Sequence, residues 1–332
     1  MKMSFLVHGK SVIIIIFISH LMFEVTPASP AHIHKHHLSK EREEDGAYVA
    51  RDHNHITDGE HHKEFDHEAI IGSMKEAEEF DHLSPEESKK RLRILLTKMD
   101  LNKNNQIDRN ELHAWILRSF SMLSEEESAE RFEDADENED GKVTWEEYKA
   151  DSFGDENALN SVEDGDDEVV KHDKVLFKAA DVNKDGILDK REFIYFTHPE
   201  EHPEMFPHIL QNTLEDKDQD KNGVIDFQEF LGDRAKTHDK EWLVSEKEKF
   251  DEEYDKDGNG VLNSSEILSW VVPSNDEIAT EEVDHLFAST DDDQDNVLSF
   301  DEILMNYEIF VGSEATDYGE HLHNIHVFQD EL

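Results

Sequence analysis

The sequence predicts an all-α chain of six helix–loop–helix units in three pairs, behind a flexible His-rich N-terminal leader. Three observations predict it. One pattern of oxygen-bearing side chains around a turn residue recurs six times. The starts of these segments are 36, 45, 37, 37 and 36 residues apart, and a helix–loop–helix unit fills roughly 30 residues. Apolar residues at helical spacing flank each segment.

The clearest copy is 218–229, D-Q-D-K-N-G-V-I-D-F-Q-E. Asp218, Asp220, Asn222, Asp226 and Glu229 stand at positions 1, 3, 5, 9 and 12. Gly223 takes the sharp turn at position 6, Val224 offers its backbone carbonyl at position 7, and Ile225 is apolar at position 8. This is the EF-hand calcium loop. Ca²⁺ is hard and tolerant of irregular geometry, so it takes about six to eight oxygens, two of them from the final Glu.

The other five loops supply the same ligand positions. Loop one (100–111) has Asp100, Asn102, Asn104, Gln106, Asp108 and Glu111, with Asn105 in the turn. Asn visits the left-handed region more readily than most residues, so this loop should close. Loop two (136–147) has Asp136, Asn138, Asp140, Lys142, Thr144 and Glu147; loop three (181–192) has Asp181, Asn183, Asp185, Ile187, Asp189 and Glu192. Loop four is the copy above. Loop five (255–266) has Asp255, Asp257, Asn259, Val261, Asn263 and Glu266. Loop six (291–302) has Asp291, Asp293, Asp295, Val297, Ser299 and Glu302, with Asn296 in the turn. At position 7 only the backbone carbonyl is meant, so Lys142 and the apolar residues there are no exception. Asn263-Ser264-Ser265 is also a glycosylation sequon, placed where a glycan would compete with metal.

In chain order, residues 1–28 read as a secretory signal. Lys2 and Lys10 precede the apolar run 11–23, and small residues follow at Ala28, Ser29 and Ala31. That run is shorter than the roughly 20 residues a membrane span needs, so no span is expected after signal removal. Residues 29–83 form the leader, with His32, His34, His36, His37, His53, His55, His61, His62 and His67. Such a run could carry zinc or copper, but it lacks cysteine and the periodicity that would fix ligands. Ser84, Pro85 and Glu87 have the form of a helix start, and Ser124 with Glu127 of a second. EF-hands pair through position 8, here Ile107, Val143, Leu188, Ile225, Leu262 and Leu298. Consecutive pairing gives pair one at 84–153, an acidic linker at 154–173, pair two at 174–232 and pair three at 233–312. Pro273 stops one helix, and Ser274 with Glu277 starts another. The tail, 313–332, ends Gln329-Asp330-Glu331-Leu332, which resembles the KDEL and HDEL tetrapeptides read by a retrieval receptor.

Composition narrows the functions. The 332 residues include 82 Asp and Glu against 33 Lys and Arg, a formal charge of -49. Phosphate backbones attract basic surfaces, so no nucleic-acid partner is expected. With no cysteine, disulfides cannot staple the chain, and bound metal is the available substitute. No P-loop, Gly-x-Ser-x-Gly or His-Glu-x-x-His is present, so no enzyme is expected. Past the signal there are five methionines, too few for a calmodulin-type groove.

Several stretches resemble the reticulocalbin/calumenin family: Val143-Thr144-Trp145-Glu146-Glu147-Tyr148, His198-Pro199-Glu200-Glu201, Trp270-Val271-Val272-Pro273 and Gly312-Ser313-Glu314-Ala315-Thr316-Asp317-Tyr318-Gly319. The resemblance covers nearly all of the chain after the signal. It implies low-affinity Ca²⁺ binding in the endoplasmic reticulum lumen, and regulatory or chaperone-like contact with secretory or membrane protein clients. Gln329 departs from the usual first residue of the retrieval signal, which leaves a secreted extracellular calcium-binding interaction protein as the alternative.

Overall fold

Every EF-hand loop sits between two helices and contributes a two-residue strand, and those strands decide the architecture. The computed structural model describes residues 42–51, 56–57, 60–61, 63–81, 83–153 and 168–311. The expectations for the signal, much of the His-rich run, the first part of the acidic linker and the C-terminal tail lie outside these residues.

A short ladder, β1 (Ile56–Thr57) with β2 (Glu60–His61), precedes α1 (Lys63–Ile71) and α2 (Met74–Asp81). Helix α3 (Pro85–Met99) enters loop one, whose strand is β3 (Gln106–Ile107). Helix α4 (Arg109–Ala135) leaves loop one and enters loop two, with β4 (Val143–Thr144) and exit helix α5 (Trp145–Phe153). Loop three lies between α6 (Glu168–Ala180) and α7 (Lys190–Thr197) and holds β5 (Ile187–Leu188). Loop four lies between α8 (Phe206–Lys217) and α9 (Phe227–Leu231) and holds β6 (Ile225–Asp226). Helix α10 (Lys240–Lys249) runs through a π turn, Phe250–Tyr254, into loop five with β7 (Val261–Leu262) and exit helix α11 (Ser264–Val271). Helix α12 (Asn275–Thr290) enters loop six, followed by β8 (Leu298–Ser299), α13 (Phe300–Met305) and α14 (Tyr307–Phe310).

Position 8 meets position 8, as expected, but the partners are not consecutive. Ile107 opposes Leu298, Val143 opposes Leu188, and Ile225 opposes Leu262, all antiparallel. The pairs are therefore loops one and six, two and three, four and five. The cause is α4. Its 27 residues contain neither Gly nor Pro, and at 1.5 Å per residue they hold loops one and two about 40 Å apart. Ser124, expected to start a new helix, instead lies inside α4, where its Oγ–H bonds to the Phe120 carbonyl at 3.0 Å. Pro85 does occupy the first turn of α3, but Ser84 makes no side-chain cap.

Two apolar cores follow from this pairing. One gathers α1 to α3, the first half of α4, and α12 to α14, with Leu96, Ile116, Phe120, Leu286 and Phe310 buried together. The other gathers loops two to five around Phe132, Phe193, Phe196, Phe230 and Phe250. Helix α4 crosses between them: Leu123 belongs to the first core and Phe132 to the second. The return crossing is at Pro273, with Val271 in the second core and Ile278 in the first. Trp115, Trp145 and Trp270 are buried in these cores.

Part of the expected flexible leader is folded. Helices α1 and α2 bury Ala69, Ile70, Ala77 and Phe80, and His67 is buried with them. Ser73 caps α2 and both Ser73 Oγ–H and the Met74 N–H donate to Glu126 of α4, at 3.1 and 3.0 Å. Further upstream, the Tyr48 N–H bonds to the Val271 carbonyl at 2.9 Å and Asp45 accepts from Trp270 Nε1–H at 3.1 Å. The apolar spacing of residues 65–83 is helical, but high charge and histidine content conceal it. The linker is also shorter than expected, because residues 168–173 belong to α6.

One contact in the first core is electrostatically unfavourable. Asp66 of α1 and Glu282 of α12 are each 1% exposed and face one another. Burial, and then the Asp66 charge, push the Glu282 carboxyl up from 4.5 to about 10. Its folded-state value is raised, so its contribution to stability is complete below about pH 4.5 and is lost progressively as pH rises toward 10.

Two outcomes are expected in urea unfolding with excess calcium. Ile107→Ala and Leu298→Ala should each cost about 2–5 kcal/mol, with a coupling of about 0.5 kcal/mol or more between them. Ile107→Ala with Val143→Ala should instead be additive; coupling there and none with Leu298 would contradict the pairing. Glu282→Gln cannot ionise, so it should match the parent near pH 4.5 and become progressively the more stable of the two as pH rises to 8. A constant difference across that range would show that Glu282 does not hold a proton.

Candidate metal centres

Each loop starts where its entering helix ends. Asp100, Asp136, Asp218, Asp255 and Asp291 terminate α3, α4, α8, the π turn and α12. Asp181 does the same for α6, its N–H bonding to the Phe177 carbonyl at 3.2 Å. In all six loops the position 1 carboxylate then accepts the N–H groups of positions 5 and 6, at 2.7–3.2 Å. These bonds require a tight reversal. Gly141, Gly186, Gly223 and Gly260 supply it at φ between 78° and 87°, and Asn105 and Asn296 at 60° and 64°.

Position 4 is left-handed too, which the residue types conceal: Lys103, Glu139, Lys184, Lys221 and Gln294 lie at φ between 55° and 62°. An L side chain there costs roughly 1–2 kcal/mol. The surrounding hydrogen bonds enforce it. In loops one, three, four, five and six, the side-chain oxygen of position 3 accepts the position 5 N–H, and that of position 5 accepts the position 7 N–H, at 2.8–3.2 Å.

The closing glutamate has a structural task beyond ligation. In every loop its Oε2 accepts the position 9 N–H at 2.8–3.3 Å. Its own N–H donates back to the position 9 side chain at 2.9–3.3 Å. Positions 9 and 12 are thus a capping box for the exit helix. In loops one, three, four and five Oε1 also accepts the position 3 N–H, at 3.0–3.3 Å. The glutamate thereby laces the entering limb of the loop to the exit helix. Only the three-residue spacing from position 9 to position 12 signals this in the sequence.

Loop two departs from the others. Asn138 Nδ2–H donates to Glu147 Oε1 at 2.5 Å, so its amide nitrogen faces the closing carboxylate. The amide must turn over before its oxygen can reach a cation. Nothing in the sequence separates Asn138 from Asn102 or Asn183 in this respect.

Three loops bring three carboxylates together. Asp218, Asp220 and Glu229 each place an oxygen within 4.8 Å of the others; so do Asp255, Asp257 and Glu266, and Asp291, Asp293 and Glu302. Loops one to three carry Asn at position 3, which offers a neutral oxygen instead. Electrostatics in the triads run in both directions. Partial desolvation raises the Asp218 and Asp255 carboxyls, but backbone N–H groups of the turn outweigh it and hold both below the ordinary range. At Asp293 desolvation and the neighbouring Asp295, Glu302 and Asp291 charges raise the carboxyl. A divalent cation at that point would reverse the repulsion. The donors are all oxygens, they converge, and each loop ends in a carboxylate able to bind through two atoms. They fit Ca²⁺.

The EF-hand domain pair family matches residues 89–151 and 171–232. Each matched stretch spans two loops consecutive in sequence, whereas the strands join loops across these stretches. The chain is 39% identical over 285 residues to reticulocalbin-2 of Crotalus adamanteus, covering 82% of this chain and 93% of that protein. It is 39% identical over 289 residues to reticulocalbin-2 of Mus musculus, with 84% and 90% covered. For the Rattus norvegicus reticulocalbin-2 the figures are 38% over 291 residues, with 84% and 90% covered. Fold, loops and relatives define a multiple-EF-hand protein that binds Ca²⁺ and is not an enzyme. The chain belongs to the reticulocalbin family. Among the described residues, no helix is long and apolar enough to cross a membrane.

Glu229→Gln retains the size of the side chain and loses its charge and two-oxygen coordination. Calorimetric calcium titration should show loop four weakened roughly 10- to 100-fold, or about 1.4–2.8 kcal/mol, with the other loops unchanged. An unaltered isotherm would exclude Glu229 as a ligand.

Proposed function

We propose that this chain is a luminal calcium protein of the secretory pathway, buffering Ca²⁺ and making calcium-dependent regulatory or chaperone-like contacts with secretory or membrane protein clients. The ligands are the side chains at positions 1, 3, 5, 9 and 12 and the position 7 carbonyl of each loop. The observation that carries the reading is the repetition of one pre-shaped oxygen loop six times, three of them with converged carboxylate triads. Clustered carboxylates repel by about 1–4 kcal/mol per close pair, depending on local dielectric, so calcium stabilises the fold as it binds. Membership of the reticulocalbin family supports the same reading.

The signal-like residues 1–28 and the terminal 329–332 support passage into the lumen and retrieval there. Gln329 in place of Lys or His favours a second reading, secretion of an extracellular calcium-binding interaction protein.

One experiment separates them. Cells express the intact chain or a chain lacking residues 329–332, and both the secreted fraction and the ionophore-releasable calcium store are measured. The luminal reading expects the intact chain to be retained and to enlarge the store, and the truncated chain to appear in the medium without doing so. Equal secretion of both would favour the extracellular reading.

A further inference from the structure

The EF-hand pair built on loops one and six holds a helix that belongs to neither hand. Helix α1 lies across α4 and α14, which are the exit helix of loop one and the continuation of that of loop six. Ala69, Ile70 and Ile71 are buried there. The Phe65 ring lies 6.1 Å from that of Phe120, and Trp115 Nε1–H donates to the Ile70 carbonyl at 2.7 Å. An amphipathic helix laid in an apolar groove is a recurrent recognition mode. Here the groove and the helix are parts of one chain.

The match is apolar, and at Asp66 it depends on a carboxyl that keeps its proton. Asp66, on the buried side of α1, faces Glu282 of α12, both almost fully buried. His285 Nε2 stands 3.9 Å from Asp66 Oδ2. Two carboxyls in contact in an apolar core are unfavourable unless one retains a proton. An ammonium or guanidinium in place of Asp66 would replace a charge that keeps Glu282 protonated by one that favours its ionised form. The resident helix thus fills the groove while setting Asp66, 1% exposed, against a second carboxyl that has to keep its proton.

We propose that the cleft between α4 and α14 is a helix-binding groove occupied by residues 63–71, and that an amphipathic helix with a basic residue opposite Glu282 displaces them. This names the partner class for the client contact proposed above and rests on that reading. Its test measures helix exchange instead of calcium binding or retention, so either can fail without the other.

The test uses the full chain in saturating calcium and two dye-labelled synthetic peptides of residues 63–81, one native and one carrying Asp66→Lys, read by fluorescence anisotropy. The Asp66→Lys peptide should bind the intact chain at least tenfold more tightly than the native peptide. A full chain with Asp66→Lys should fasten its own helix and bind that peptide at least tenfold more weakly than the parent. A full chain with Ile70→Asp should release its helix and bind both peptides more tightly. Equal binding of the two peptides by all three chains would overturn the proposal. So would absence of binding by an Ile70→Asp chain with parental circular dichroism and calcium titration. If that chain fails to fold, the comparison of the parent and Asp66→Lys chains decides, and equal affinity of those two overturns it.

Discussion

The unbroken α4 helix constrains everything else in the molecule. A helix without Gly or Pro over 27 residues is a strut, and it keeps loops one and two at opposite ends. Each loop still has an apolar position 8 and a short strand with unsatisfied backbone groups, and these must find partners. Loop two turns to loop three and loop four to loop five. Loop one is left to meet loop six, whose entering helix α12 also packs along α4. The two cores are consequences of this strut, because α4 is too long to be covered by one cluster of helices.

Within each loop the dominant local force is the attraction between carboxylates and backbone N–H groups. The position 1 aspartate and the position 12 glutamate accept the bonds that define the loop, so the ligand residues are also its scaffold. The left-handed strain at Lys103 or Lys221 persists because these bonds over-determine the backbone around it. The remaining oxygen lone pairs point at one another, most closely in loops four to six. Metal binding therefore relieves a repulsion built into an already formed loop. Loop two is different, since Asn138 must first exchange its amide hydrogen bond for a ligand bond.

The ligand pattern was legible in the sequence because its chemistry is local: which oxygen, at which position, followed by which turn residue. Asn105 and Asn296 closing their turns could be read in the same way. Pairing could not, because it depends on whether the segment around Ser124 is a helix start or a helix interior. The absence of any Gly or Pro from 109 to 135 favours a helix interior, whereas the Ser124–Glu127 spacing mimics a helix start. Helices α1 and α2 are hidden in the sequence for a related reason. Phe65, Ile70 and Phe80 carry the apolar spacing, but the surrounding His and acidic residues resemble a solvated tail. Their burial follows from a groove that exists only once loops one and six have paired.

That last pairing also sets an order of events during synthesis. Ile107 and Leu298 are separated by about 190 residues, and closing so long a chain segment carries an entropic cost that grows with its length. Domains fold as the chain emerges, N-terminal parts first. Here the N-terminal EF-hand has no partner until nearly all of the remaining chain has left the ribosome. Loops two and three, then four and five, have theirs within some tens of residues. The first hand made is thus the last to be completed, and until then its apolar surface is open to whatever factors attend a nascent chain.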